Sequence, residues 1–400
     1  MANVTTGARP IIGFVRGPFE NEHELFPLPL LQDEFRVVLT HTHKLPGRHE
    51  FEKQRTMCLG SIMERVPKVR RAYRWFIDGL LGDGSYLMNF ERLVRGSQVI
   101  DVAEQFRMMS FQAARYALKA KIPLIVTVYE NTPFYREENP RTQRIKRFVA
   151  QAASAFIAKT NQIRDSLMAE GVPRDRIYVI YNGLDTQGFS PKESDDALRA
   201  RYRLAPSDQV VLYVGKLLWQ KGAEDLLRSF RAVVGSEVTK ESPYKLLIIG
   251  AGKEQGRLRR LVSAFGIEGM VRIAAPVPFG TMPEIYHLAD IVVVPSKPYR
   301  EGQEQEARVL REAMACGKAM VITDCGGNAE IAGPAALKCA PADHPAIAHA
   351  LQLLLSNLAL RKELGQKARA RILHDFDVRT TARDLRIAYR EVLSGSASRV

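Results

Sequence analysis

In QVVLYVGKLLWQKGAEDLLRSF, residues 209–230, a short apolar and β-branched run ends at Gly215-Lys216, and Lys221-Gly222 stands where helical spacing begins. That order is strand, loop, helix. The loop would collect two ammonium groups beside the unbonded N–H groups of a helix start, an arrangement suited to phosphate. Two ordinary surface lysines would give the same local sequence.

The rhythm recurs on both sides. Upstream lie IIGFV (11–15), FRVVLT (35–40), QVIDVA (98–103), PLIVTVY (123–129), AFIA (155–158) and IYVIY (177–181); downstream lie YKLLIIG (244–250), VRIAA (271–275), DIVVVPS (290–296), AMVITD (319–324) and ALKCA (336–340). Helical spacing separates most of them, so the chain reads as α/β with parallel, doubly wound sheets. The turn-rich segment DTQGFSPKESDD after Asn182-Gly183 is the candidate linker. Two such domains would face each other across a cleft, with ligands on the loops after the strands.

Bulk properties fit this picture. Four hundred residues exceed what one core organises, and 46% hydrophobic with 26% charged residues is a globular balance. A net charge of +14 points to an anionic partner. Cys58, Cys316, Cys325 and Cys339 show no CxxC spacing, which suits a reducing cytoplasm. The N-terminal residues lack a secretory pattern, and no run approaches the roughly 20 apolar residues of a membrane span. The expectation is a cytoplasmic protein, at most peripheral on the inner face of a membrane.

EQEARVLREAMACG (304–317) raises a sharper question, because Glu304 and Glu312 stand eight positions apart. On one helix they would be separated by about 80° and roughly 12 Å. If Glu304 lies in the preceding loop, it can be aimed at a ligand independently. Isolated glutamates also line solvated faces.

Taken together, these stretches resemble the retaining glycosyltransferases of family 4, often described as glycosyl transferase group 1, which have the GT-B fold. There a Glu, seven residues and a second Glu precede an Ala-Met-Ala-x-Gly motif, as Glu304 and Glu312 precede Ala313-Met314-Ala315-Cys316-Gly317. Gly215-Lys216 and Lys221-Gly222 match the family's two basic Gly pairs. VIYNGLDTQGFSP, IIGAGKEQGRL, EIYHLADIVVVPS and TDCGGNAEI follow in the family's order, so the likeness covers at least residues 150–390.

The resemblance implies two Rossmann-like domains: an acceptor-binding one over 1–190, a donor-binding one over 191–375, and a C-terminal helix over 376–400 returning to the first. It implies a hexosyl group moved with retention from a UDP- or GDP-sugar to a glycan, lipid-linked or small-molecule acceptor, as in cell-envelope polysaccharide synthesis. Lys216 and Lys221 would hold the diphosphate, Glu304 the transferred sugar and Glu312 the ribose. Gly215, Arg308 and Val309 complete the donor set. No metal or other cofactor is implied, and Asp375 and Asp377 read as a cap before the last helix.

Departures are informative. The family usually places an aromatic and a glycine where this chain has Glu306 and Ala307, although the variant EQFGRV retains Glu304, Gln305, Arg308 and Val309. A backbone without glycine approaches phosphates less closely, and Glu306 adds negative charge beside an anionic donor. In the first domain the family commonly has a His after the strand that is PLIVTVY here; this chain has Tyr129, Glu130 and Asn131. A base or hydrogen-bonding role would pass to Glu130 or Glu104. The loop RGPFENEHELF offers Arg16, Gly17 and His23 to an acceptor.

ERVPKVRRAYRWFIDGLL (64–81) and RTQRIKRF (141–148) mix basic with apolar residues and would suit an anionic membrane surface, or simply a solvated helix face. Rival readings are a NAD-dependent oxidoreductase, from Gly250, Gly252 and Gly256, and a GT-B nucleotide-sugar epimerase. The glycine spacing is loose and sits mid-domain, whereas a dinucleotide fingerprint opens its domain. The net charge also raises a nucleic-acid partner, but no recognised module or aromatic-basic repeat accompanies it, so no nucleic acid is expected.

Overall fold

The computed structural model describes residues 8–17, 22–41, 52–55, 85–235, 242–300, 302–305 and 307–395. The chain forms two compact units, residues 1–183 with 378–400, and residues 184–377. The division falls after Gly183 rather than after residue 190, and the linker residues 185–190 belong to the second unit.

In the first unit, β1 (Ile11–Gly17), β2 (Arg36–His41), β3 (Glu52–Arg55), β4 (Val99–Ala103), β5 (Leu124–Val128), β6 (Ala155–Ala158) and β7 (Ile177–Val179) form one parallel sheet. Its order is β3-β2-β1-β4-β5-β6-β7. The polar strand β3, Glu-Lys-Gln-Arg, carries no apolar run and escapes a reading by hydrophobic pattern. Every residue of β4 and β5 is buried, as central strands covered on both faces require. The short helices α1 (Glu22–Leu25) and α2 (Phe90–Leu93) and the longer α3 (Met108–Ala120), α4 (Pro140–Ala152) and α5 (Asn161–Ala169) connect the strands.

The second unit has β8 (Gln209–Val214), β9 (Tyr244–Ile249), β10 (Val271–Ala274), β11 (Ile291–Val294), β12 (Ala319–Thr323) and β13 (Leu337–Cys339), parallel, in the order β10-β9-β8-β11-β12-β13. Its helices are α6 (Asp196–Arg201), α7 (Ala223–Val234), α8 (Gln255–Ala264), α9 (Met282–His287), α10 (Arg308–Ala315), α11 (Asn328–Ala332), α12 (His344–Ser356) and α13 (Leu358–Asp375). Leu226, Leu227 and Phe230 of α7 and Leu351 and Leu354 of α12 pack with Val211, Ile248 and Val293 of the sheet.

The last helix, α14 (Val378–Leu393), belongs to the first unit. Leu385, Ala388, Tyr389 and Val392 enter a core with Ile12, Leu31, Phe35 and Val99. The pleat sends the alternate residues Ile100 and Val102 to the opposite face, against Met109 and Ala113 of α3. Tyr389 meets the edge of Phe35 at 5.7 Å, and its hydroxyl donates to Asp101 Oδ2 at 2.8 Å.

Sheet order fixes where chemistry can occur. In each sheet the winding reverses beside the first strand, between β1 and β4 and between β8 and β11. Loops leaving those strands flank a crevice at the sheet's carboxyl edge. Among the described residues, no helix is long and apolar enough to cross a membrane.

Candidate active site

In the second unit, the loop after β8 rests on the loop after β9. The Gly215 amide donates to Ile249 O at 3.0 Å and the Leu217 amide to Ala251 O at 2.9 Å. A Cβ on Gly250 would lie 1.9 Å from Gly215 O, and one on Gly252 2.2 Å from Leu217 O. Gly256 meets nothing within 4 Å. The first two glycines are thus required by backbone packing, which accounts for them without a dinucleotide. Gly222 has φ +72°, and a Cβ there would stand 1.8 Å from Pro295 O. Only glycine lets the start of α7 approach the exit of β11 this closely.

That approach brings Lys221 to the loop after β11. Its Nζ lies 2.6 Å from Glu304 Oε2, which also accepts from Ser296 Oγ at 2.9 Å. The side chains are 33% and 11% exposed, so the pair borders solvent on the lysine side. Glu304 stands outside the helix, since α10 begins at Arg308, and its carbonyl accepts from the Gly327 amide at 3.2 Å. Of the two geometries the sequence allowed, the independent loop position is the one found.

Glu312 sits inside α10 and is 1% exposed. Tyr286 donates to its Oε2 at 2.6 Å, and Arg308 Nε lies 3.3 Å from its Oε1. Burial pushes this carboxyl above the ordinary range, against the pull of Tyr286 and of Arg308 and Arg311. The Arg308 guanidinium in turn covers the Phe279 ring at 5.3 Å. Val309 is half-buried beside it. Lys216 is exposed, and its carbonyl accepts from the Tyr213 hydroxyl at 3.0 Å.

The first unit places a second group of acids at its own reversal point. Glu104 directly follows β4 with a left-handed φ of 66° and is 8% exposed. Its Oε1 accepts from the Tyr129 amide at 3.2 Å, while its Oε2 is buried without a hydrogen-bond partner. Burial raises this carboxyl to about 8; Arg107 opposes the shift, and Glu130 and Glu24 add to it. Glu130, after β5, accepts from the Thr132 amide at 3.0 Å.

Arg16 has a different place from the acceptor contact expected of it. It is 2% exposed, with Nε 2.6 Å from Glu24 and Nη1 3.0 Å from Asp101 Oδ1 and 3.1 Å from Asp101 O. Thr127 donates to the same Oδ1 at 2.7 Å. Its donors are turned inward, and it ties β1 to β4. Gly17 ends β1, and His23 lies in α1, with the side chain outside the described residues.

The profile described as "Glycosyl transferases group 1" matches residues 194–371, and that described as "Glycosyltransferase Family 4" matches residues 30–187. The chain belongs to the group 1 glycosyltransferases. A D-inositol 3-phosphate glycosyltransferase of Catenulispora acidiphila is 30% identical over 187 residues, 45% of this chain and 43% of that protein. The match thus spans less than half of that relative. An alpha-D-kanosaminyltransferase of Streptomyces kanamyceticus is 25% identical, covering 68% of this chain and 71% of its own. Among solved structures, Anabaena HepE in complex with UDP superposes with TM-score 0.75 at 18% identity, over 96% of this chain and all of that one. Sucrose-phosphate synthase from Thermosynechococcus elongatus follows at TM-score 0.67 and 17% identity, over 97% of this chain and 100% of that one. These neighbours share the fold of two Rossmann-like domains.

Within this family member, the structure joins Lys221 with Glu304 and Arg308 with Glu312, and leaves Lys216 extended into solvent. Sequence reading passed over Lys297. This lysine is 7% exposed, with Nζ 2.6 Å from Asp225 Oδ2 and 4.3 Å from the centre of the Trp219 ring. His344 Nε2 holds the other Asp225 oxygen at 2.7 Å, and the Lys297 amide donates to Gln220 O at 2.8 Å. The signal was its position, directly after the strand-ending Pro295-Ser296. Asp375 pairs with Arg371 at 3.0 Å, and Asp377 accepts from the Thr186 hydroxyl. Glu306, and the basic segment 64–81, lie outside the described residues.

Proposed function

We propose that the chain transfers a hexosyl group, with retention, from a UDP- or GDP-sugar to a glycan, lipid-linked or small-molecule acceptor. The observation that carries this reading is the 2.6 Å pair of Lys221 and Glu304 at the β8/β11 reversal, joined by Ser296. A lysine and a carboxylate that clasp each other can both be redirected by one ligand. The diphosphate takes the ammonium, and the released carboxylate meets a sugar hydroxyl.

Charge development favours the same assignment. As the glycosidic bond breaks, negative charge grows on the departing diphosphate, where Lys221 and the solvent-facing Lys216 stabilise it. Two ammonium groups can supply this without a metal. Glu312, in the second turn of α10, would accept from the ribose hydroxyls; Arg308, which already pairs with it, opposes the rise that burial imposes on the carboxyl. In the first unit, Glu104 and Glu130 are the acids placed to receive or orient an acceptor hydroxyl. UDP in the Anabaena neighbour supports the donor class.

Location would be cytoplasmic, with contact to the inner face of a membrane through the basic segments. The test of the donor assignment is thermal stabilisation by UDP-, GDP- and ADP-sugars. A ligand at about 100 times its Kd adds ~2.7 kcal/mol to folded-state stability and raises the melting temperature measurably. No stabilisation by any of them would overturn the reading.

A further inference from the structure

The open edge of the second sheet carries a feature unrelated to the Lys221–Glu304 pair. Among the described residues β10 pairs only with β9, and a cavity of about 300 Å³ runs along it. Arg201, Tyr202 and Arg203 form one wall, and residues 272–277 form the other. That volume suits a small ligand. Three guanidinium-bearing residues line the cavity and no carboxylate does.

Each arginine is held there in a way that leaves donors unused. Arg272 Nη1 donates to the carbonyls of Glu268 at 2.7 Å and Val271 at 3.2 Å, while its Nε is buried with no partner. The Glu268 carboxylate is engaged by Ser263 and its own amide. Arg201 and Arg203 make no ion pair among the described residues. Arg203 has a left-handed φ of 57° just past the end of α6, with its amide on Ala200 O and the next amide on Arg199 O. Helices ending in this way favour glycine at that position. The α6 carboxyl terminus offsets part of the charge on Arg201 and does nothing for Arg272, which is on a strand.

We propose that this groove binds a phosphoryl-bearing anion at a site separate from the donor loops. Like charges lining one concavity repel, and an anion accepting from their forked donors relieves that repulsion. In sheet order β10 lies two strands from β8, roughly 10 Å away, and the sites share no residue.

Titration calorimetry of the full chain with pyrophosphate tests this. Wild type should show two binding events. The double variant Arg201→Gln/Arg203→Gly should lose one, each missing charge-assisted contact weakening binding about tenfold or more. It should melt no lower than wild type, since glycine suits the Arg203 backbone. Lys216→Ala/Lys221→Ala should lose the other event; if it loses none, the donor reading fails while the arginine result stands. Unchanged binding in the arginine variant, or loss of all binding in the lysine variant, would overturn the second site. Flotation on phosphatidylglycerol vesicles, abolished in the arginine variant, would identify the phosphoryl group as a lipid headgroup, and no flotation would identify a dissolved ligand.

Discussion

At the scale of single residues, Glu304 and Glu104 invite opposite experiments. Glu304 is paired and half-buried, so its removal acts on transfer. Glu304→Ala is expected to lower the transfer rate on the order of 10²-fold while nucleotide binding, held by the lysines, persists. Glu306→Ala should stay near wild type, and loss at 306 with indifference at 304 would reverse the two roles. Glu104 is buried with an unpartnered oxygen, so its removal acts on stability. Its folded carboxyl titrates near 8, above the ordinary value of 4.5. Between those values the unfolded state has released a proton that the folded state keeps, so stability falls as pH rises from 4.5 to 8. Glu104→Gln removes that slope. Melting curves at pH 5 and pH 8 should therefore converge with wild type in acid and favour the variant in base; parallel curves would exclude a buried, protonated Glu104. Sequence reading reached these acids by their places after strands. It could not see that Arg16 turns inward, because the partner that decides this, Asp101, is 85 positions away.

Elements explain why the loops hold their shape. Gly222 and Gly256 look alike in sequence and differ completely in surroundings. Gly222→Ala would force a Cβ against Pro295 O in a left-handed backbone and should cost about 3 kcal/mol or more in denaturant unfolding. Gly256→Ala, in the first turn of α8 with open space around it, should be neutral or stabilise by up to about 1 kcal/mol. Equal effects would mean that close loop packing does not govern the site. The basic stretch of α4 is likewise split by its helix. Arg141, Arg144 and Arg147 are exposed, whereas Lys146 is buried between Glu137 and Glu170, at 2.7 Å from each. Liposome flotation at low salt should weaken when the three arginines become glutamine and stay unchanged for Lys146→Met if the protein folds; no flotation of wild type would exclude the membrane role. Strands with apolar runs were legible from pattern alone, and β3 was not, because edge pairing needs no hydrophobic run.

For the whole molecule, the chain path makes one unit continuous and the other dependent on its far end. Residues 184–377 enclose their own core, and both members of the Lys221–Glu304 pair lie within it. Residues 1–183 lack α14, and with it Leu385, Ala388, Tyr389 and Val392, which complete the core around Ile12 and Phe35. Exposing such side chains costs about 2 kcal/mol for each large one, and Asp101 Oδ2 would lose the Tyr389 hydroxyl. A marginally stable unit cannot absorb that sum. The composition of residues 378–393 shows an amphipathic helix but not which sheet it covers, so this dependence was legible only through the family resemblance. The two ends meet closely: a Cβ on Gly183 would lie 2.7 Å from Val378 Cα. A fragment joining 1–183 to 378–400 through a few Gly/Ser residues should therefore melt cooperatively by circular dichroism, whereas 1–183 alone should not. The fragment 184–377 should fold by itself and retain nucleotide binding. Cooperative melting of 1–183 at the temperature of the joined fragment would show that α14 is dispensable to the first core, and a folded 184–377 that bound no nucleotide would show that its loops do not suffice for the donor.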